Sequence, residues 1–250
     1  EEFHETLRYY ARRIVQTGVE LRLATAATAE SLRQGRFDEV VFATGVHPRT
    51  VDIPGGARAN VLSYLDVLRG TAAVGASVAI IGAGGIGFDV AEFLVENAPS
   101  PTTDIARWTR EWGVDTTLAA RAGLIEPTPE APVRRVWLLQ RTPGKPGKRL
   151  NRTTGWVHRA TLAAKRVTML GGVAYERIDD DGLHVRIDGV AATLPVDTIV
   201  ICAGQVPNRT LHADLAASGV SCHLIGGADV AAELDAKRAI DQGTRLAARL

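Results

Sequence analysis

The sequence predicts an α/β fold in which two Rossmann-like domains are nested and a short β-meander is attached. Three observations predict it. The continuous apolar run Ser77–Ile81 passes directly into Gly82-Ala83-Gly84-Gly85-Ile86-Gly87 and then into a helical pattern, the strand–turn–helix order of a mononucleotide-binding βα unit. Two further apolar segments end in small residues, Ala43-Thr44-Gly45 and Ala203-Gly204-Gln205. Between them lie three short alternating segments, 174–178, 183–187 and 191–194, separated by Asp179-Asp180-Asp181-Gly182 and Asp188-Gly189, which read as a meander.

The elements follow in order. Residues 3–17 put Leu7, Tyr10, Ala11, Ile14 and Val15 on one helical stripe that Gly18 ends. Residues 19–23 alternate like a strand, and 37–42 form a second strand running into Ala43. Pro48, Pro54, Gly55 and Gly56 mark a loop, and 61–68 read as a short helix. Ser77–Ile81 is apolar enough to be covered on both faces. The helix after the glycines places Ile86, Val90, Phe93 and Leu94 on one side. From 97 to 132 five prolines bracket a helical piece bearing Trp108 and Trp112, which reads as an insertion. A strand over 136–140 ends at Arg141; a helix over 156–164 and a strand over 167–170 precede the meander. A buried strand over 198–202 follows it, and a last helix, beginning at Glu233, runs to the end of the chain.

The bulk composition narrows the function classes. The 250 residues are 46% hydrophobic and 23% charged, which suits one large or two small globular domains. No apolar run reaches the length of a membrane span and the first residues do not form a signal peptide, so a cytoplasmic chain with no membrane partner is expected. Cys202 and Cys222 form no C-x-x-C pair. Buried, reduced cysteines are expected, and the disulfide-reductase branch of flavoproteins is disfavoured. The net charge of +1 hides an asymmetry: between Ala131 and Tyr175 there is no Asp or Glu but there are ten Lys and Arg. That stretch is either a solvated basic face or a site for a phosphate-rich small molecule. Nucleic acid is not expected as a partner, because no recognition-helix pattern or aromatic interleaving accompanies the charge.

The glycine turn carries the chemistry. Gly82 permits the tight turn, Gly84 lets the backbone approach a pyrophosphate, and Gly87 allows close helix–strand packing. The helix beginning there offers free N–H groups and its positive end to an anion. At the end of the next strand, where an acidic residue would favour NAD, the chain has Gln140-Arg141, followed by Lys145, Lys148 and Arg149. A guanidinium there can pair with a 2′-phosphate, which favours NADP. Arg141 lies 59 residues after Gly82, against the usual ~20, and the insertion accounts for the excess. Gly226-Gly227-Ala228-Asp229 before a helix is either a plain turn with an Asp cap or a carboxylate for a ribityl hydroxyl, with the helix N-terminus directed at a flavin.

At this point the chain resembles a known family. Ala43-Thr44-Gly45, Ile81-Gly82-Ala83-Gly84-Gly85-Ile86-Gly87-Phe88-Asp89, Thr153-Thr154-Gly155-Trp156-Val157-His158-Arg159, Ile201-Cys202-Ala203-Gly204-Gln205-Val206-Pro207-Asn208-Arg209, His223-Leu224-Ile225-Gly226-Gly227-Ala228-Asp229 and the stretch 61–68 resemble the C-terminal part of bacterial NADPH-dependent 2,4-dienoyl-CoA reductases. The resemblance implies an FAD/NAD(P)-linked reductase fold that passes hydride from NADPH to FAD, for reduction of unsaturated fatty acyl-CoA in β-oxidation. It implies an NADPH site at Gly82, Ala83, Gly84, Gly85, Ile86, Gly87, Arg141, Thr154, Ala203 and Gly204, with the nicotinamide facing the flavin near Ala203 and Gly204. It implies an FAD site at Ala27, Ala43, Thr44, Gly45, Gly227, Asp229 and Leu234, with no catalytic side chain and no metal ligand. The implied division is 1–70 for the first part of an FAD domain, 71–204 for the NADPH domain, and 205–250 for the rest of the FAD domain. In that family an N-terminal barrel carries FMN, a 4Fe–4S cluster and the acyl-CoA site, so the expected partner is such a barrel in the same enzyme. The first strand and glycine turn of the FAD domain have no counterpart in these 250 residues, which implies an incomplete FAD domain and weak or no FAD binding. The second reading, from related amine dehydrogenases, is an adenine-nucleotide-binding or docking module without turnover.

Overall fold

The computed structural model describes residues 2–97, 99–232 and 234–250. The chain forms two units, Glu1–Gly45 with Pro207–Leu250, and Val46–Val206.

In the first unit the helices α1 (Glu2–Gln16) and α2 (Ala29–Gln34) precede the strand β1 (Val40–Phe42). The stripe expected to bury α1 is exposed: Leu7, Tyr10 and Val15 all face solvent among the described residues. Amphipathic spacing defines a face without supplying a partner for it. Residues 19–23 form no strand, because alternation supplies no ladder and no described segment pairs with them. The second strand is also shorter than 37–42, beginning at Val40, where the amide first finds an acceptor in Ser221 O at 2.9 Å.

The second unit opens with β2 (Val46–Pro48), β3 (Val61–Ser63) and α3 (Tyr64–Arg69). The helix expected over 61–68 is thus divided. The Ser63 hydroxyl accepts from Asp66 N at 3.2 Å while the Asp66 carboxylate accepts from Ser63 N at 3.3 Å, a capping box that starts the helix at Tyr64. Then come β4 (Ser77–Ile81), α4 (Gly85–Val95), α5 (Ile105–Trp112) within the insertion, β5 (Arg135–Leu139), α6 (Gly155–Ala164) and β6 (Thr168–Leu170). The meander is β7 (Val173–Asp179), β8 (Gly182–Ile187) and β9 (Val190–Leu194), and β10 (Thr198–Ile201) and β11 (Gln205–Pro207) follow. The chain returns to the first unit for α7 (His212–Ala217), β12 (Cys222–Leu224) and α8 (Ala236–Ala247). The last helix therefore starts at Ala236, capped by the Asp235 carboxylate accepting from Lys237 N at 2.9 Å; Glu233 lies outside the described residues.

The second unit is three-layered. Its centre is a parallel sheet in the order β3-β10-β4-β5-β6, with the antiparallel sheet β7-β8-β9 beside it. Side chains alternate across a strand, so every residue of β4 is buried by one layer or the other. Val78 and Ile80 pack with Phe88, Val90, Ala91, Leu94 and Leu162 of the helices, while Ala79 and Ile81 pack with Val173, Ile178, Leu183 and Val185 of the meander. On α4 it is Phe88, not Phe93, that enters this core; Phe93 is exposed. The first unit has its own small core of Val40, Phe42, Leu215 and Ala228, around the parallel pair β1-β12. Among the described residues, no helix is long and apolar enough to cross a membrane.

Candidate dinucleotide site

The glycines after β4 do separate jobs. Gly82 has a φ of +114°, and a Cβ there would sit 2.5 Å from the Cys202 carbonyl oxygen. A Cβ on Gly87 would fall well inside contact with the Gly82 carbonyl oxygen, so only glycine lets α4 lie this close to its own strand. Around Gly84 and Gly85 nothing lies within 4 Å of a Cβ position. This open backbone at the start of an 11-residue helix is what an anionic group needs to reach the unsatisfied N–H groups.

That turn forms one wall of a cleft of about 700 Å³. Gly82, Ala83 and Gly84 stand on one side, Arg141, Lys145, Lys148 and Arg149 on another, and Cys202, Ala203 and Gly204 complete it. The four cations are exposed, and among the described residues none pairs with a carboxylate. Their loop is nevertheless fixed. Gln140 Nε2 donates to Thr142 O at 2.8 Å and Gly144 O at 3.3 Å, and Arg159 donates to Gly147 O at 2.9 Å. Gly147 rests on the Phe88 ring, where a Cβ would come within 2.6 Å. A charged cluster held in place without a counter-charge is built to receive an anion.

Of the ten residues assigned to NADPH, the cleft gathers Gly82, Ala83, Gly84, Arg141, Ala203 and Gly204 along its wall. Gly85, Ile86 and Gly87 form the first turn of α4 behind it. Thr154 is not on the wall; it is exposed just before α6, its carbonyl accepting from Val157 N at 2.9 Å. The loop-fastening roles of Gln140 and Arg159 are not legible in the sequence, since they rest on hydrogen bonds to a loop whose path no local pattern reveals. Burial pushes the Cys202 thiol up to about 12, so this sulfur is neutral and no nucleophile.

The residues assigned to FAD all fall in the first unit. Ala43, Thr44 and Gly45 follow β1, and Gly227 and Asp229 follow β12, so both segments leave the carboxyl ends of adjacent parallel strands, where open α/β sheets take ligands. Thr44 Oγ1 donates to Asn208 O at 2.6 Å. Gln242 of α8 ties the second segment: its Oε1 accepts from Gly226 N at 2.7 Å and its Nε2 donates to Asp229 Oδ2 at 2.8 Å. Gly227 and Leu234 line a small cleft of about 240 Å³ beside Arg238. Ala27 is exposed in the segment before α2, and no strand leads to it.

A parallel sheet, a glycine turn opening a helix, and a basic cleft at the strand ends define a dinucleotide-binding oxidoreductase module. The chain belongs to the pyridine nucleotide-disulphide oxidoreductase family, whose sequence profile matches residues 5–238; the family binds FAD and NAD(P). It is similar to a metal reductase of Desulforamulus reducens, 27% identical over 91% of this chain and 34% of that protein. Its fold is similar to that of a 2-naphthoyl-CoA reductase (TM-score 0.76, 23% identity, 100% of this chain and 32% of that one). It is also similar to that of histamine dehydrogenase from Rhizobium sp. 4-9 (TM-score 0.71, 18% identity, 98% and 35%). The chain thus spans about a third of the length of these proteins.

Proposed function

We propose that this chain is the NADPH-oxidising part of a longer flavin-dependent reductase that acts on an unsaturated acyl-CoA of the 2,4-dienoyl type and carries its substrate site on a separate barrel. The observation that carries the dinucleotide choice is the cation cluster of Arg141, Lys145, Lys148 and Arg149, paired with no carboxylate among the described residues, on the wall of the glycine-turn cleft. When bound, NADPH supplies a hydride and FAD accepts it. The chain's own residues bind and orient. Gly84 and Gly85 admit the pyrophosphate to the α4 N-terminus, and Arg141 with its neighbours pairs with the 2′-phosphate. Ala203 and Gly204 keep the floor low, and the protonated Cys202 stays out of the chemistry. For FAD, Asp229 offers the carboxylate oxygen not engaged by Gln242, and the segments 43–45 and 227–229 form the cradle. The divisions 1–70, 71–204 and 205–250 belong to this reading.

An NADPH-against-NADH titration tests it. Arg141→Ala should weaken NADPH selectively by about 1.5–3 kcal/mol, the worth of a charged hydrogen bond. Equal, weak binding of both dinucleotides to the unmodified chain would reject NADPH use in favour of a nucleotide-docking module. An unchanged NADPH/NADH ratio in the variant would remove Arg141 from the site. The acyl-CoA assignment has its own test: NADPH oxidation by the longer protein should depend on added 2,4-dienoyl-CoA, and independence would sink that assignment alone.

A further inference from the structure

A second cleft lies in the same Val46–Val206 unit, at the opposite end of α4 from the glycine turn. Glu92 is on the last turn of that helix and Glu96 caps it, roughly 16 Å of helical rise from Gly85. The insertion roofs the cleft. Trp108 and Trp112 of α5, ring centroids 6.1 Å apart and planes inclined by 32°, line it with prolines of the insertion and with Val157 of α6, enclosing about 410 Å³. That volume suits a small organic ligand.

The polar groups of this cleft are unequally satisfied. Glu111 is held at both oxygens, by Arg107 Nε at 3.2 Å and Lys165 Nζ at 3.4 Å. Glu92 is paired with His158 Nδ1 at 2.8 Å. Among the described residues Glu96 has one distant partner, Lys165 Nζ at 3.7 Å from Oε1, and its buried Oε2 has no hydrogen-bond partner. Lys165 cannot serve it better: the ammonium, 2% exposed, is already shared with Glu111 and with Glu130 O. A buried carboxylate oxygen without a donor calls for one; of the three carboxylates on the lining, Glu111 is held by Arg107 and Lys165 and Glu92 by His158, while Glu96 keeps an oxygen to offer a ligand. The walls call for a flat apolar body, since indole faces attract both rings and cations.

We propose that this cleft binds a small aromatic amine as its cation, with the ring against Trp108 and Trp112 and the ammonium donating to the Glu96 carboxylate. The site is distinct from the dinucleotide cleft, uses none of its residues, and does not depend on which dinucleotide that cleft takes.

Phenethylamine, 2-phenylethanol and 3-phenylpropionate serve as probes, because they differ only in the group offered to Glu96 and leave tryptophan fluorescence free to report. Phenethylamine should perturb that fluorescence and bind at least about tenfold tighter than the alcohol, with the acid weakest. Glu96→Gln should bring amine and alcohol to parity. Trp108→Ala, at a half-exposed position where substitution leaves the core intact, should weaken both, and this arm stands even if the glutamine variant fails to fold. Equal affinity for amine and alcohol, preference for the acid, displacement of phenethylamine by NADP⁺ in direct competition, or no response to any probe would each overturn the proposal.

Discussion

Gly84 and Gly87 are three positions apart in one helical turn, yet alanine should affect them in opposite ways. At Gly84 a methyl group meets no protein atom within 4 Å, so Gly84→Ala should keep its melting temperature and lose dinucleotide affinity. At Gly87 the methyl group would collide with the Gly82 carbonyl oxygen, and Gly87→Ala should cost about 1–3 kcal/mol of stability as strand and helix are forced apart. Thermal melts and dinucleotide titrations of the pair check this; a destabilised Gly84→Ala would refute the open-wall description. The two thiols should divide similarly. With its ionisation pushed up to about 12, Cys202 should resist alkylation at neutral pH while half-buried Cys222 reacts first, as peptide mapping after maleimide treatment would show.

At the scale of elements, β4 is pinned to the start of β10 by one carboxylate. Ser77 donates to Asp197 Oδ2 from its hydroxyl at 2.7 Å and its amide at 2.8 Å, and these bonds hold the Asp197 carboxyl below its usual value. A depressed folded-state value means that this contribution is whole above the ordinary carboxylate range and is lost as pH falls through the lowered value. Asp197→Asn should therefore flatten the acid limb of the profile of melting temperature against pH; identical acid limbs would exclude this pair as a source of acid sensitivity. The elements differ in how well the sequence announces them. Ser77–Ile81, the glycine turn and the meander are plain, because each is fixed by its own residues: an unbroken apolar run, obligatory glycines, Asp-Gly turns. The Ser63-x-x-Asp66 box was equally visible and, read as a cap, would have separated β3 from α3. Residues 19–23 and the face of α1 mislead because alternation and amphipathicity describe only half of a contact. In the basic cleft, Arg141 follows from its place after β5, whereas the fastening of its loop by Gln140 and Arg159 rests on contacts that depend on the folded path of the chain.

On the scale of the molecule, each unit has buried apolar clusters of its own. The two larger clusters, from Ile53 to Cys202, lie entirely within Val46–Val206, and the small one entirely within the other unit. A protein made of residues 46–206 alone should melt cooperatively and keep the NADPH/NADH preference of the whole chain; a molten product, or a lost preference, would contradict this self-sufficiency. The first unit is built differently, from two stretches of chain that are far apart in sequence, and its β1–β12 pairing matches Val40 with Cys222. Closing a loop of that length early in folding is entropically slow. The pairing of β2 with β11 changes the problem, because it brings together the places where the chain enters and leaves Val46–Val206. Once that contiguous stretch has folded, the effective loop shrinks to roughly twenty residues, and the closure cost falls by about 2 kcal/mol. The order of assembly is thereby written into the connectivity: the contiguous stretch Val46–Val206 folds first, and the two flanking segments pair with each other afterwards.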